Sequence, residues 1–293
     1  MLNKKDNKMR QQLFQGLGIS LEEKVKYAID LLKFHEQFAL SFSSYGYHCC
    51  FSGGKDSIVI YKLLLMAGVK FKAFYNVTTI DPPELIYFIK KHYPDVKFLL
   101  PEKNFFTCLA ENNGYPTRIR RWCCEKYKER NGSGEFKVIG VRAAESPKRA
   151  QNWKHITRWN PRKRVGKPSW CACPILSFSD QNVWDFIHKY QIPYCSLYDE
   201  GFKRLGCIGC PLGGCKNQKR EFERWPRFKE MWLNAFRRLW ERRKDDIITK
   251  GKNKGKKWPG LYGIDTPEKL FDWWLSGKNA PKEETEDCTM GLF

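Results

Sequence analysis

The hexapeptide at residues 52–57, Ser-Gly-Gly-Lys-Asp-Ser, constrains the fold more than any other stretch of this chain. It lies between an apolar, strand-like run at 47–51 and a helix-forming run at 58–66. Two glycines at such a junction let backbone N–H groups approach an anion closely, and the helix that follows aims the positive end of its dipole at the same place. Lys55 adds a charge. Ser52 and Ser57 add hydroxyl donors, and Asp56 is placed to cap the helix or to hold a cation such as Mg2+. The spacing is not that of the GxxxxGK[ST] loop, so a P-loop NTPase is not indicated.

Around this loop the pattern alternates. A helical stretch at 21–40 precedes it, and strands are predicted at 71–75, 96–100 and 136–140, separated by helices at 82–92 and about 119–130. This order argues for an α/β fold, a parallel twisted sheet with helices on both faces. Ligands of such sheets bind beyond the carboxyl ends of strands, where both the 52–57 loop and the Gly140-Val141-Arg142 turn fall. After residue 142 a basic, tryptophan-bearing loop is predicted, then a helix capped by Ser179 or Asp180 and ended near Pro193. A cysteine- and glycine-rich loop at 195–215 follows, and one basic amphipathic helix at 219–246. The segment at 251–257, GKNKGKK, has no apolar residue to bury and reads as a mobile linker. Phe271, Trp273, Trp274 and Leu275 form an apolar patch expected to dock back. The expected division is a nucleotide-binding α/β domain at 1–192 and a Cys-rich, helical C-terminal extension at 193–293.

No run of about 18 apolar residues occurs, and the polar start (residues 1–12) lacks a signal-peptide core, so a cytoplasmic protein without membrane association is expected. In a reducing compartment twelve cysteines favour metal or cluster ligation over disulfides. Cys207-Ile208-Gly209-Cys210-Pro211 is a knuckle with two thiolates three apart, and its further ligands are sought among Cys123, Cys124, Cys173, Cys195 and Cys215. Cys49, Cys50 and Cys108, in apolar context, read as buried thiols. The net charge of +21 is concentrated. Residues 142–167 and 216–257 hold eighteen of those charges, which suits a polyanionic partner such as nucleic acid.

Three further stretches accompany the hexapeptide: TTIDPPELIYFI (78–89), GVRAAESPKR (140–149), and residues 173–212, which include the helix at 180–189 and the knuckle. Together they resemble, in order and spacing, the phosphoadenosine-phosphosulfate (PAPS) reductase-like family of the PP-loop ATP pyrophosphatases, whose fold is adenine nucleotide alpha hydrolase-like and Rossmann-like. The resemblance implies that Ser52, Gly53, Gly54, Lys55, Asp56 and Ser57 hold nucleotide phosphate with Gly140, Arg142, Glu145 and Ser146. It puts Lys55, Asp56, Arg142 and Arg149 at the reacting group. A guanidinium independently suits a phosphate or sulfate dianion, because it offers paired donors.

By the same resemblance Cys123, Cys124, Cys207 and Cys210 would carry a [4Fe–4S] cluster. Cys195, Cys207, Cys210 and Cys215 form a rival set similar to that of DNA phosphorothioation proteins, and zinc is an alternative metal. Sulfonucleotide reductases carry a terminal nucleophilic cysteine before Gly-Leu-His; Cys288 is terminal but lacks that sequence and has acidic neighbours, which disfavour its thiolate.

The leading expectation is an ATP pyrophosphatase that adenylates a target, DNA among the candidates, for sulfur incorporation, fed by a sulfur donor such as a cysteine desulfurase. In that reading Trp153, Trp159, Trp170 and Trp225 are available to stack on unpaired bases, whereas Trp232 and Trp240 read as helix core. The alternatives are an adenylyl-sulfate or PAPS reductase that makes sulfite with thioredoxin, and a non-catalytic nucleic-acid-binding regulator.

Overall fold

Strand β1 (Tyr47–Cys50) alternates as a two-faced strand must: Tyr47 and Cys49 enter the large hydrophobic core, while Cys50 joins a smaller cluster with Ile139, Cys171 and Cys173. The computed structural model describes residues 18–160 and 166–277. The remaining strands are β2 (Phe71–Asn76), β3 (Lys97–Leu99), β4 (Phe136–Val138), β5 (Ile156–Trp159) and β6 (Ser169–Ala172), in the sheet order β3-β2-β1-β4-β6-β5. All pairings are parallel except that of β5 with β6. The chain winds outward from β1 to β3 and then crosses to β4, so the strand order reverses between β1 and β4.

The helices start where their caps dictate. Helix α1 (Leu21–Phe34) opens with a capping box, Ser20 Oγ accepting from Glu23 N–H at 3.2 Å and Glu23 Oε2 accepting from Ser20 N–H at 2.9 Å. Helix α2 (Lys55–Ala67) follows β1 and begins at Gly54 with no side-chain cap of its own, which leaves its first amides to other partners. Pro83 opens α3 (Pro83–His92), and Ser179 caps α4 (Asp180–Lys189). Helices α1 and α4 both pack against α2.

Three expectations need correction. The stretch after residue 142 is not all loop: it contains the hairpin of β5 and β6. Four-residue strands bearing Arg158 have little local signal, and the pairing comes from β4. The single helix expected at 219–246 is two, α5 (Gly214–Arg224) and α6 (Pro226–Arg243), because Pro226 cannot donate to the preceding turn. The 251–257 segment is folded as a hairpin-like turn, with Ile247 bridged to Lys257, Gly255 N–H donating to Ile248 O at 2.8 Å, and the adjoining Trp258 buried against Trp240.

The apolar patch docks as expected. Helix α7 (Pro267–Leu275) stacks Trp274 on Trp232 at 4.7 Å and buries Phe271 and Leu275, so the C-terminal helices share one core with the sheet.

Candidate functional site

The hexapeptide forms the turn its composition predicts. Gly53 has φ 72°, and a Cβ there would stand 2.7 Å from both Leu85 Cδ1 and Ile89 Cδ1, so the position needs glycine for conformation and for space. At the other side of the switch point a Cβ on Gly140 would lie 3.0 Å from Asp56 Cβ. The two halves predicted from separate motifs therefore meet across β1 and β4.

A charged network joins them. Arg142 donates through Nε to Asp56 Oδ1 and through Nη2 to Asp180 Oδ1, both at 2.7 Å. Lys55 Nζ lies 3.6 Å from Asp56 and 3.5 Å from Asp180. Lys55 and Arg142 are buried, whereas the Asp180 side chain is largely exposed. Burial opposes the Arg142 charge, but Asp56, Asp180 and Glu145 outweigh it and raise its pKa. Asp180 is lowered: its desolvation is exceeded by the nearby charges of Arg142 and Lys55. Arg142 Nη1 is buried and has no hydrogen-bond partner among the described residues. A buried guanidinium donor left open at a strand end is where an anionic ligand would complete the count.

Asp56 thus neither caps the helix nor stands free for a cation, being engaged by Arg142 and Lys55. The Ser57 hydroxyl donates back to Gly54 O at 2.8 Å. Ser52 is exposed at the mouth of the loop. Arg149 is buried, its charge disfavoured by desolvation and supported by the close Glu145 carboxylate. Ser146 caps the short helix Pro147–Asn152 by accepting from Arg149 N–H. Two residues that motif reading did not place here are Asp180, considered only as a helix cap, and Tyr198, whose Oη accepts from Lys55 N–H at 2.7 Å. Neither has a local signal, because each arrives from more than a hundred residues away.

The thiols predicted as one set lie in one electrostatic neighbourhood. Cys123 and Cys124 sit on the short helix Trp122–Cys124 and the other two on the knuckle, all half-buried. The knuckle is clamped: Ile208 N–H donates to Ile80 O at 2.8 Å, Trp232 Nε1 to Ile208 O at 3.1 Å, and Gly209 N–H to Glu221 Oε2 at 2.6 Å. Gly209 has φ 76°, and a Cβ there would meet Phe222 Cζ at 2.6 Å.

The hydrogen bond from its neighbour holds Cys124 below the usual thiol range, with Lys128 and Arg121 assisting, while Cys123 is raised by the same bond, by burial, and by Cys124, Cys210 and Cys207. Burial, Cys207 and Cys124 push Cys210 up to about 12. Burial disfavours the Lys128 ammonium, but Cys207, Cys124, Cys210 and Asp81 outweigh it and raise its pKa. Among the described residues no three His, Cys, Asp or Glu side chains already converge as ligands of a single ion. Cys195 instead neighbours Glu84, Glu200 and Asp199, Cys173 neighbours Cys171 and Arg149, and Cys215 packs beside Gly277. Cys288 lies outside the described residues.

The tryptophans are mostly structural. Trp225, Trp232 and Trp240 are buried, Trp153 and Trp159 pack on the small cluster around Cys171, and Trp170 meets Phe38 edge-on. Exposed cations such as Lys219, Arg220, Arg238 and Arg242 remain on α5 and α6. Among the described residues no helix is long and apolar enough to cross a membrane.

Comparison with known proteins gives a family model described as "Phosphoadenosine phosphosulfate reductase domain", matching residues 47–212, more than half of the chain. An uncharacterized protein of Methanocaldococcus jannaschii is 31% identical over 208 residues, 66% of this chain and 42% of that one. A second from the same organism is 27% identical over 75% of this chain and 54% of its own length, so the chain spans about half the length of these two relatives. An adenosine 5'-phosphosulfate reductase of Staphylococcus haemolyticus is 25% identical over 72% of this chain and 87% of that protein. Among solved structures, the phosphoadenylyl-sulfate reductase of Candida auris in a phosphate complex covers 65% of this chain and 97% of its own at 15% identity and a TM-score of 0.42.

Proposed function

This chain belongs to the phosphoadenosine phosphosulfate reductase domain family, and from that premise we propose that it binds an adenylyl sulfate at the 52–57 loop and reduces its sulfuryl group to sulfite. The observation that carries the proposal is the buried Arg142, whose Nη1 has no hydrogen-bond partner among the described residues and which pairs with Asp56 in the first turn of α2, directly after the loop. The loop and Arg142 would take the nucleotide's anionic end, Arg149 and Glu145 would border the reacting group, and a dithiol such as that of thioredoxin would supply the reducing electrons.

A [4Fe–4S] cluster fits the donor chemistry of Cys123, Cys124, Cys207 and Cys210: two thiol pairs from separate segments, with Lys128 and Arg121 placed to balance the negative charge of ligating thiolates. Bound there, the cluster would supply an electrostatic and redox-active neighbour to the nucleotide. The local set with Cys195 and Cys215 is less favoured, because Cys195 keeps company with carboxylates.

The second reading is an ATP pyrophosphatase that adenylates a nucleic acid for sulfur incorporation with a sulfur donor protein. Its specific support is the exposed cationic side of α5 and α6, which suits phosphate neutralisation.

One assay separates the two. Anaerobically purified protein is given adenylyl sulfate or PAPS with a dithiol reductant, or ATP with DNA and a sulfur donor, and sulfite and pyrophosphate are measured. Sulfite release is the expected outcome; pyrophosphate from ATP without sulfite would replace the first reading with the second, and neither product would leave only a binding role. Lys55→Ala should abolish nucleotide binding in either case, and unchanged affinity would refute the loop assignment.

A further inference from the structure

We propose that Tyr198 is part of the anion cradle: its hydroxyl takes up the first amide of α2 and presents its own proton to the anionic end of the bound nucleotide. The inference rests on the nucleotide reading above. The first N–H groups of a helix have no intrahelical acceptor, and in a phosphate loop they serve the ligand. Here Lys55 N–H donates to Tyr198 Oη at 2.7 Å, and a Cβ on Gly54 would stand 3.4 Å from the same oxygen, so the phenol lies directly over the loop. Tyr198 does for α2, from 143 residues away, what a serine or aspartate cap would do locally.

A phenol oxygen that accepts one N–H still carries an O–H donor. No acceptor for that proton is found among the described residues. Burial holds the phenol above its ordinary range, so the proton remains on the oxygen at neutral pH. The ring cannot swing freely: it meets Trp184 of α4 edge-on at 5.2 Å, and Trp184 is braced by Tyr194 at 5.3 Å. Together with Arg142 Nη1, the hydroxyl makes two donors that have no acceptor among the described residues, around the Lys55–Asp56 turn. The matching ligand chemistry is a tetrahedral phosphate or sulfate whose oxygens accept from both.

Tyr198→Phe removes the hydroxyl and keeps the ring and its contact with Trp184, so the variant should stay folded, its melting temperature lowered only by what the loss of a helix cap costs. Calorimetric titration of both proteins with ATP, adenylyl sulfate and adenosine tests the proposal. The expected result is roughly ten- to a hundredfold weaker binding of the anionic ligands by Tyr198→Phe, the range of a hydrogen bond to a charged group. Adenosine affinity should not change. Unchanged affinity for the anions would overturn the proposal, and so would tighter binding, which would make the hydroxyl a plug that ligand expels. An equal loss for adenosine would reduce the residue to a structural one. Failure of the nucleotide reading has a different signature: the unaltered protein itself would bind neither ATP nor adenylyl sulfate, and the role of Tyr198 would fall with it.

Discussion

Two buried cations decide most of what individual residues do here. Arg142 links Asp56 on α2 to Asp180 on α4, so its removal leaves two carboxylates with Lys55 alone and takes a donor from the ligand. Arg142→Met is expected to lower stability by about 2 kcal/mol, less than a fully buried pair because Asp180 is exposed, and to weaken nucleotide binding at least tenfold. Arg142→Lys should recover part of the stability and little of the binding, since an ammonium cannot reproduce the guanidinium fork; denaturant melts and titration check both. His48 is the second case, 2.6 Å from Glu135 and stacked on Phe74 at 4.3 Å. Burial opposes its charge, but Cys50 and Glu135 outweigh it and raise its pKa to about 9. The imidazolium is thus favoured by folding: its contribution, on the order of 3 kcal/mol, is complete below about pH 6.5 and lost as pH rises through 9. A pH series of melts should show this decline and find it flattened in His48→Phe.

At the scale of elements, the knuckle is the piece whose shape leaves least room. Gly209→Ala puts a Cβ on a positive-φ residue against Phe222 and Trp232, which should cost about 2–4 kcal/mol and lower iron content after anaerobic reconstitution. Iron retained at the parental ratio would argue against the knuckle as a ligand segment. Strand β1, α2 and the hexapeptide between them were legible in the sequence, because a single stretch carries strand, glycine turn and helix start together. Strands β5 and β6 were not, since their four-residue runs acquire meaning only beside β4. Pro226 did carry the signal that divides α5 from α6; the unbroken basic amphipathic pattern on either side obscured it. Tyr198 and Asp180 could not be read as site residues from spacing at all. They reach the loop through packing of α4 and the turn after it.

For the whole molecule, one core links the sheet to the C-terminal helices, so ligand binding at the loop should register as a global change. Nucleotide at a hundred times its dissociation constant should add about 2.7 kcal/mol to unfolding free energy, visible as a rise in Tm absent from Lys55→Ala. If the cationic helices meet nucleic acid, affinity for single-stranded DNA should fall steeply and log-linearly with salt, and a flat response would exclude that partner. The sheet that carries the site also ends deliberately on both sides. At one rim β3 has three residues and an exposed Lys97; at the other β5 has four, turned antiparallel, with Arg158 exposed and Lys154 just before it. A strand from a second molecule could add to either rim only by bringing its backbone alongside these charges. Fibre-like growth is therefore disfavoured at the two places where an open sheet is most exposed to it.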